Sequence, residues 1–179
     1  MAGKDVARVV NRCNDAKEDQ NLDLSACQLT QMPDAVFLLM KNTVLQSCNL
    51  AENLLRKIPP KFPRAFTSLT ELNLSYNHLS SLPDEMTQME QLKMLDLSHN
   101  HVSTLPNVVY ELNSLENLNA EHNYIKEADV QRLRALPRIA ELNFKDNPLS
   151  FETYSQFITV SEVVVVHLTP QDPEFDSVD

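Results

Sequence analysis

One asparagine returns along this chain at nearly constant spacing, inside a run of leucines that returns with it. Residues 69–83 read LTELNLSYNHLSSLP, residues 92–106 read LKMLDLSHNHVSTLP, and residues 115–128 read LENLNAEHNYIKEA. Their common form is L-x-x-L-x-L-x-x-N-x-L. It recurs at residues 139–149 as IAELNFKDNPL, and at residues 45–55 as LQSCNLAENLL with Cys48 in a leucine place. A worn first copy, NLDLSACQLTQMP at residues 21–33, carries Cys27 where Asn is usual. The ladder Cys27, Asn53, Asn77, Asn100, Asn123, Asn147 advances by 26, 24, 23, 23 and 24 residues. A period of this length marks units that cannot bury their own apolar face and must stack on their neighbours.

The letters inside each copy dictate how the stack is built. L-x-L is a short strand whose alternate side chains enter a core, and copies stacked in parallel satisfy one another's backbone groups. Beyond the strand the chain must bend away, and a ladder Asn turned inward can hydrogen-bond backbone groups that no strand reaches; a thiol at Cys27 can pack in the same slot. The L-x-x-L-P endings at Pro83 and Pro106 stop further strand and send the chain along the opposite side in irregular or short helical turns. The expected architecture is an α/β solenoid with a curved parallel sheet on its concave face. Two insertions interrupt the period, AVFLLM within residues 34–44 and PPKFPRAF at residues 59–66, and both are read as filling the convex core.

A solenoid needs covered ends. Residues 1–20 read as a helical cap, with Val6, Val9, Val10 and Cys13 at helical spacing and Lys4, Arg8, Arg12 and Lys17 elsewhere on the helix. Residues 21–149 hold six repeats. Residues 150–169 read as a helix, SFETYSQFITV, followed by a final edge strand in VVVVHL that burial protects. The acidic, proline-bearing residues 170–179 read as a disordered tail.

On these motifs the chain resembles the leucine-rich-repeat family, and within it the short intracellular members; the resemblance covers nearly the whole sequence, including VARVVN and LDLSACQL. It implies a curved solenoid used as a binding surface, with no catalytic residues to carry over.

Composition narrows the function. The single glycine, Gly3, leaves no loop that cradles phosphate through exposed amides. A net charge of −10 argues against nucleic acid and against adhesion to anionic lipid. Three irregularly spaced cysteines form neither a disulfide framework nor a C-x-x-C metal pattern, which points to a reducing, cytoplasmic setting. No signal peptide or membrane span is legible. The string His99-Asn100-His101 imitates a nuclease motif, but Asn100 belongs to the inward ladder, so its neighbours cannot join it in a metal unit. The expectation is no enzyme, no cofactor and no metal.

Function should then be read from the residues flanking each core leucine, which form columns across the sheet. The first column is Asn21, Ser47, Glu71, Met94, Asn117, Glu141, and the central one is Asp23, Asn49, Asn73, Asp96, Asn119, Asn143. A third is Ser25, Ala51, Ser75, Ser98, Glu121, Lys145, and a fourth, toward the rim, is Ala26, Glu52, Tyr76, His99, His122, Asp146. Asp23, Glu52, Glu71, Asp96, Glu121, Glu141 and Asp146 oppose Lys145 alone, a field that would steer a cationic partner. Tyr76, His99 and His122, with His78, His101 and Tyr124 beside them, offer aromatic anchors; only His167 lies elsewhere. The candidate partner-binding residues are Glu71, Asn73, Tyr76, Met94, Asp96, His99, Asn117, Asn119, Glu121, His122, Glu141 and Asn143. Six strands about 4.8 Å apart span roughly 24 Å, the length of a helix of about 16 residues. The expected ligand is a basic protein segment. The alternative is recognition of bacterial envelope glycan or lipopolysaccharide; a plainer reading has the amide columns bracing neighbouring strands of the scaffold.

Overall fold

The computed structural model describes residues 3–160 and 164–171. Seven three-residue strands form one parallel sheet in chain order: β1 Asn21–Asp23, β2 Ser47–Asn49, β3 Glu71–Asn73, β4 Met94–Asp96, β5 Asn117–Asn119, β6 Glu141–Asn143 and β7 Val165–His167. The register never slips. Leu22, Cys48, Leu72, Leu95, Leu118, Leu142 and Val166 are successive partners, so every inward residue meets an inward residue. A one-residue slip would turn a leucine to solvent, and the buried face forbids it. A second row, Leu24, Leu50, Leu74, Leu97, Ala120 and Phe144, lies buried behind the first.

The return side is helical wherever a proline opens it. Pro33, Pro60, Pro83 and Pro106 each precede a short turn of helix: α2 Asp34–Leu39, α3 Lys61–Ala65, and 3-10 turns at Asp84–Gln88 and Asn107–Glu111. Proline forbids a further ladder donor yet suits the start of a helix. The fifth return, α4 Val130–Arg134, begins on Asp129, whose carboxylate accepts the Arg132 amide at 3.0 Å. In the PPKFPRAF insertion Phe62 and Phe66 are buried and meet edge to face at 5.1 Å. AVFLLM fills the core only in part. Val36 and Met40 are buried, but Leu38 is 76 % exposed, because a single turn of helix has one inward face.

Both ends are covered. α1 Gly3–Asp19 lies against β1 through Val9, Cys13 and Ala16, an i, i+4, i+7 stripe. Val6, one turn further out, departs from the expected apolar face and is 48 % exposed. Off that stripe, Arg8 and Arg12 reach the first repeat, donating to the Ala26 and Ser25 carbonyls at 2.8 and 2.6 Å. At the other end α5 Phe151–Val160 packs Phe157 on Phe144, and β7 closes the sheet with Val164 buried and Val165 exposed. Of the predicted tail, Gln171 donates to the Leu149 carbonyl at 2.8 Å; residues 172–179 lie outside the described ones.

The ladder residues bind the repeats together. Asn100 Oδ1 accepts the Leu79 amide at 2.9 Å, while its Nδ2 donates to the carbonyls of Leu74, Leu97 and Ser98 at 2.9–3.1 Å. Asn53, Asn77, Asn123 and Asn147 repeat this pattern. Each amide serves its own turn and the repeat before it, so buried backbone groups that strands cannot reach are paired.

Candidate functional site

Two hollows divide the candidate residues between them, Glu121 alone lining neither. The first, about 450 Å³, lies on the concave sheet and is lined by Glu71, Asn73, Met94, Asp96, Asn117, Asn119, Glu141 and Asn143, with Ser47 and Asn49. The first and central columns run across it in the predicted order, since Ser47, Glu71, Met94, Asn117 and Glu141 are register partners, as are Asn49, Asn73, Asp96, Asn119 and Asn143. Strand β7 lengthens both columns, placing Val165 beside Glu141 and His167 beside Asn143. His167 thus lies away from the rim histidines, on the sheet, where its Nε2 sits 2.8 Å from Glu141 Oε1.

The central column has a structural duty. In every repeat its side-chain oxygen accepts the backbone amide two residues on: Asp23 from Ser25, Asn49 from Ala51, Asn73 from Ser75, Asp96 from Ser98, Asn119 from Glu121 and Asn143 from Lys145, all at 2.8–3.1 Å. Only an oxygen on a short side chain reaches this position, which explains why all six are Asp or Asn. Cross-strand links are fewer: Asn119 Nδ2 to Asp96 Oδ2 at 3.3 Å, Asn143 Nδ2 to Glu121 Oε2 at 2.8 Å and Asn117 Nδ2 to Glu141 Oε2 at 3.1 Å. Glu121 is thus tied to the central column through Asn143.

Several acids of the field already face a counter-group. Asp23 lies 3.7 Å from Arg12. Burial pushes its carboxyl up, but hydrogen bonds from the Ser25 side chain and amide, with the Arg12 charge, bring it below the usual carboxylate range. Asp146 accepts from the Thr169 hydroxyl at 2.8 Å and stands 3.9 Å from His122 Nδ1. Glu52 and Glu71 are exposed.

The second hollow, about 700 Å³, runs along the rim. One wall is Tyr76, His99 and His122; the other is His78, His101 and Tyr124; ladder asparagines form the floor, and Asp146 and Pro148 close one end. Tyr76 and His99 stack with centroids 4.0 Å apart and planes 11° apart, and His99 and His122 follow at 4.5 Å and 26°. His78 and His101 stack at 5.1 Å, while Tyr124 is turned 54° from His101 at 6.0 Å. The nuclease-like string resolves here: Asn100 is buried, and His99 and His101 stand in opposite walls.

The rim is strained in a regular way. Ala26, Glu52, Tyr76, His99, His122 and Asp146 all hold φ of 51–55°. Left-handed backbone at a residue with a Cβ costs on the order of 1 kcal/mol. It persists here because the amides of Ala26, Glu52, Tyr76, His99 and His122 each donate to a carbonyl of the next repeat at 2.9–3.0 Å. Glycine scarcity therefore does not exclude left-handed turns in this chain; stacking imposes them on other residues.

The three thiols serve packing. Cys13, Cys27 and Cys48 are free and buried, and burial pushes the thiols of Cys13 and Cys48 up, away from a reactive thiolate. Among the described residues, no helix is long and apolar enough to cross a membrane.

Comparison with known proteins agrees with this geometry. Residues 43–102 and 67–125 match the leucine rich repeat family. Leucine-rich repeat-containing protein 20 of Mus musculus is 45 % identical over 152 residues, covering 83 % of this chain and 83 % of that protein. Leucine-rich repeat-containing protein 20 of Homo sapiens is 34 % identical over 95 residues, covering 51 % of this chain and 52 % of that one. A leucine-rich-repeat protein of Leptospira interrogans, known from its solved structure, superposes with a TM-score of 0.68 at 25 % identity. The match covers 78 % of this chain but only 34 % of the Leptospira protein, so this chain spans about a third of its length. Proteins of this architecture are generally protein-interaction modules, their stacked repeats creating extended concave surfaces. By its repeats, its single parallel sheet and its identity over most of its length to a curated relative, the chain belongs to the leucine-rich-repeat family and resembles Leucine-rich repeat-containing protein 20.

Proposed function

We propose that this chain is a non-enzymatic interaction module whose hollow sheet face takes a basic segment of a partner protein. The observation that carries this reading is the unbroken register, which lines up Glu71, Asp96 and Glu141 on one face with amides between them, while Glu121 meets Asn143 beside them. Acid columns of this kind steer a cation and fix its orientation, while the amides supply hydrogen bonds. Seven strands about 4.8 Å apart span roughly 29 Å, enough for a helix of about 19 residues lying across them. A face this open does not desolvate a reacting group, and the buried thiols lack the exposure a nucleophile needs.

The test is fluorescence anisotropy with a labelled helical peptide of about 20 residues rich in Lys and Arg. The variant combines Glu71→Lys, Asp96→Asn and Glu121→Gln. The last two keep the acceptor oxygens that cap Ser98 and meet Asn143 while removing charge. The expected result is a Kd weakened about tenfold or more and a flatter dependence on salt. Unchanged affinity overturns the reading. Specific binding of purified lipopolysaccharide that persists at about 0.15 M salt would put the envelope-glycan alternative ahead.

A further inference from the structure

The ring stacks of the rim have unequal ends. His99 is covered on both faces, by Tyr76 and His122, and offers only its edge. Ring faces become available where a stack stops. At the end formed by the last full repeat, His122 is the terminal ring of its wall, and Tyr124 is turned out of its own wall and 59 % exposed. The next rung carries no ring: Asp146 succeeds His122, and Pro148 succeeds Tyr124. The Thr169 hydroxyl engages Asp146 Oδ1, while Oδ2 is turned toward His122.

From this end of the trough we infer that His122, Tyr124 and Asp146 form a subsite for an arginine side chain of the basic partner segment; the inference rests on the interaction reading above. A guanidinium is planar, so it can continue a ring stack with its face while its edge donates to a carboxylate. A lysine ammonium meets the carboxylate alone, as a compact and strongly hydrated charge. Charge complementarity favours the cation. The two rim rows, Ala26, Glu52, Tyr76, His99, His122, Asp146 and their neighbours two residues on, contain carboxylates and no Lys or Arg. Position favours it too, because Glu121, bound to Asn143 of the sheet, immediately precedes His122 of the rim, so a segment lying on the sheet has an acidic path to the trough.

The experiment uses two labelled peptides that differ only in having Arg or Lys at every basic position, titrated at one salt concentration against the full chain and its variants. The wild type is expected to bind the Arg peptide about tenfold more tightly. Tyr124→Ala should remove most of that preference while leaving the Lys peptide's Kd unchanged, Asp146→Asn should weaken both peptides and the Arg peptide more, and Tyr124→Phe should retain the preference. Glu71→Lys should weaken both peptides alike. Equal wild-type affinity for the two peptides, or a preference that survives Tyr124→Ala, overturns the subsite and leaves the docking reading standing. Binding of neither peptide overturns both.

Discussion

Interior repeats and the first repeat solve one problem with different atoms. In the interior, the ladder Asn donates to the carbonyl two residues before it, as Asn77 does to Ser75 and Asn100 does to Ser98, both at 3.1 Å. In the first repeat the ladder residue is Cys27, which has no amide to offer, and the corresponding carbonyl is that of Ser25. Arg12 reaches it from the cap helix at 2.6 Å and also contacts Cys27 Sγ at 3.4 Å. A long side chain from outside the repeat thus replaces a short one within it. The first repeat has no predecessor to be tied to, so its ladder position needs only this local donor. An interior Asn must also link two repeats, which no cap residue can do.

The comparison breaks most sharply at an interior rung. Asn100→Leu leaves the Leu79 amide unpaired and removes one of two donors from each of the carbonyls of Leu74, Leu97 and Ser98, and should destabilise the fold by about 3 kcal/mol. The measurement is the urea midpoint at unchanged slope; a loss below about 1 kcal/mol would mean that the ladder is dispensable. A smaller effect belongs to Arg12→Ala, about 1.5 kcal/mol, with faster amide exchange confined to the first repeat. Adding Cys27→Asn to that variant should restore much of the loss by returning an amide donor to Ser25, whereas Cys27→Asn alone should gain little. If the two changes prove strictly additive, Arg12 is not the substitute donor.

The smallest effect is electrostatic. The folded carboxyl of Asp23 sits below its ordinary value, so its contribution is present above the unfolded pKa near 3.9 and is lost as pH falls through the folded value. Asp23 is largely exposed and its Arg12 contact is long, so the contribution is a fraction of a kcal/mol. Asp23→Asn keeps the oxygen that caps Ser25 and should flatten the acid limb of the stability profile below about pH 4. An identical limb in wild type and variant would show that the charge of Asp23 does nothing for the first repeat.

Much of this molecule was legible because its period is short and its constraints are local. The L-x-L strands, the inward ladder and the first and central columns follow from alternation and spacing, and the register carries them across the sheet; the third column does not face outward throughout, since Ala51, Ser75 and Ser98 are buried where the chain turns off the strand. The duty of the central column was also within reach, since a side-chain oxygen and an amide two residues away need no tertiary information. Arg8 and Arg12 were not legible as caps, because a basic residue on an amphipathic helix ordinarily faces water, and only the docked helix reveals the carbonyls opposite. The place of His167 depended on β7 extending the sheet in register, which no repeat announces. The ring stacks needed rotamers as well as rungs.

From its letters alone the chain determined a stack of parallel strands, because a strict leucine period has one arrangement that buries every apolar residue and pairs the backbone between them. Tertiary structure decided which charges remain to meet a partner. Asp23 meets Arg12 of the cap helix, Glu141 meets His167 of the last strand and Asp146 meets Thr169 and His122, while Glu71 stays exposed. It also decided where the rim rings end, because ring orientation depends on the neighbouring rung and on a turn whose left-handed geometry comes from stacking. Periodicity specifies the lattice of positions; which side chains pair across it depends on distances between segments far apart in sequence.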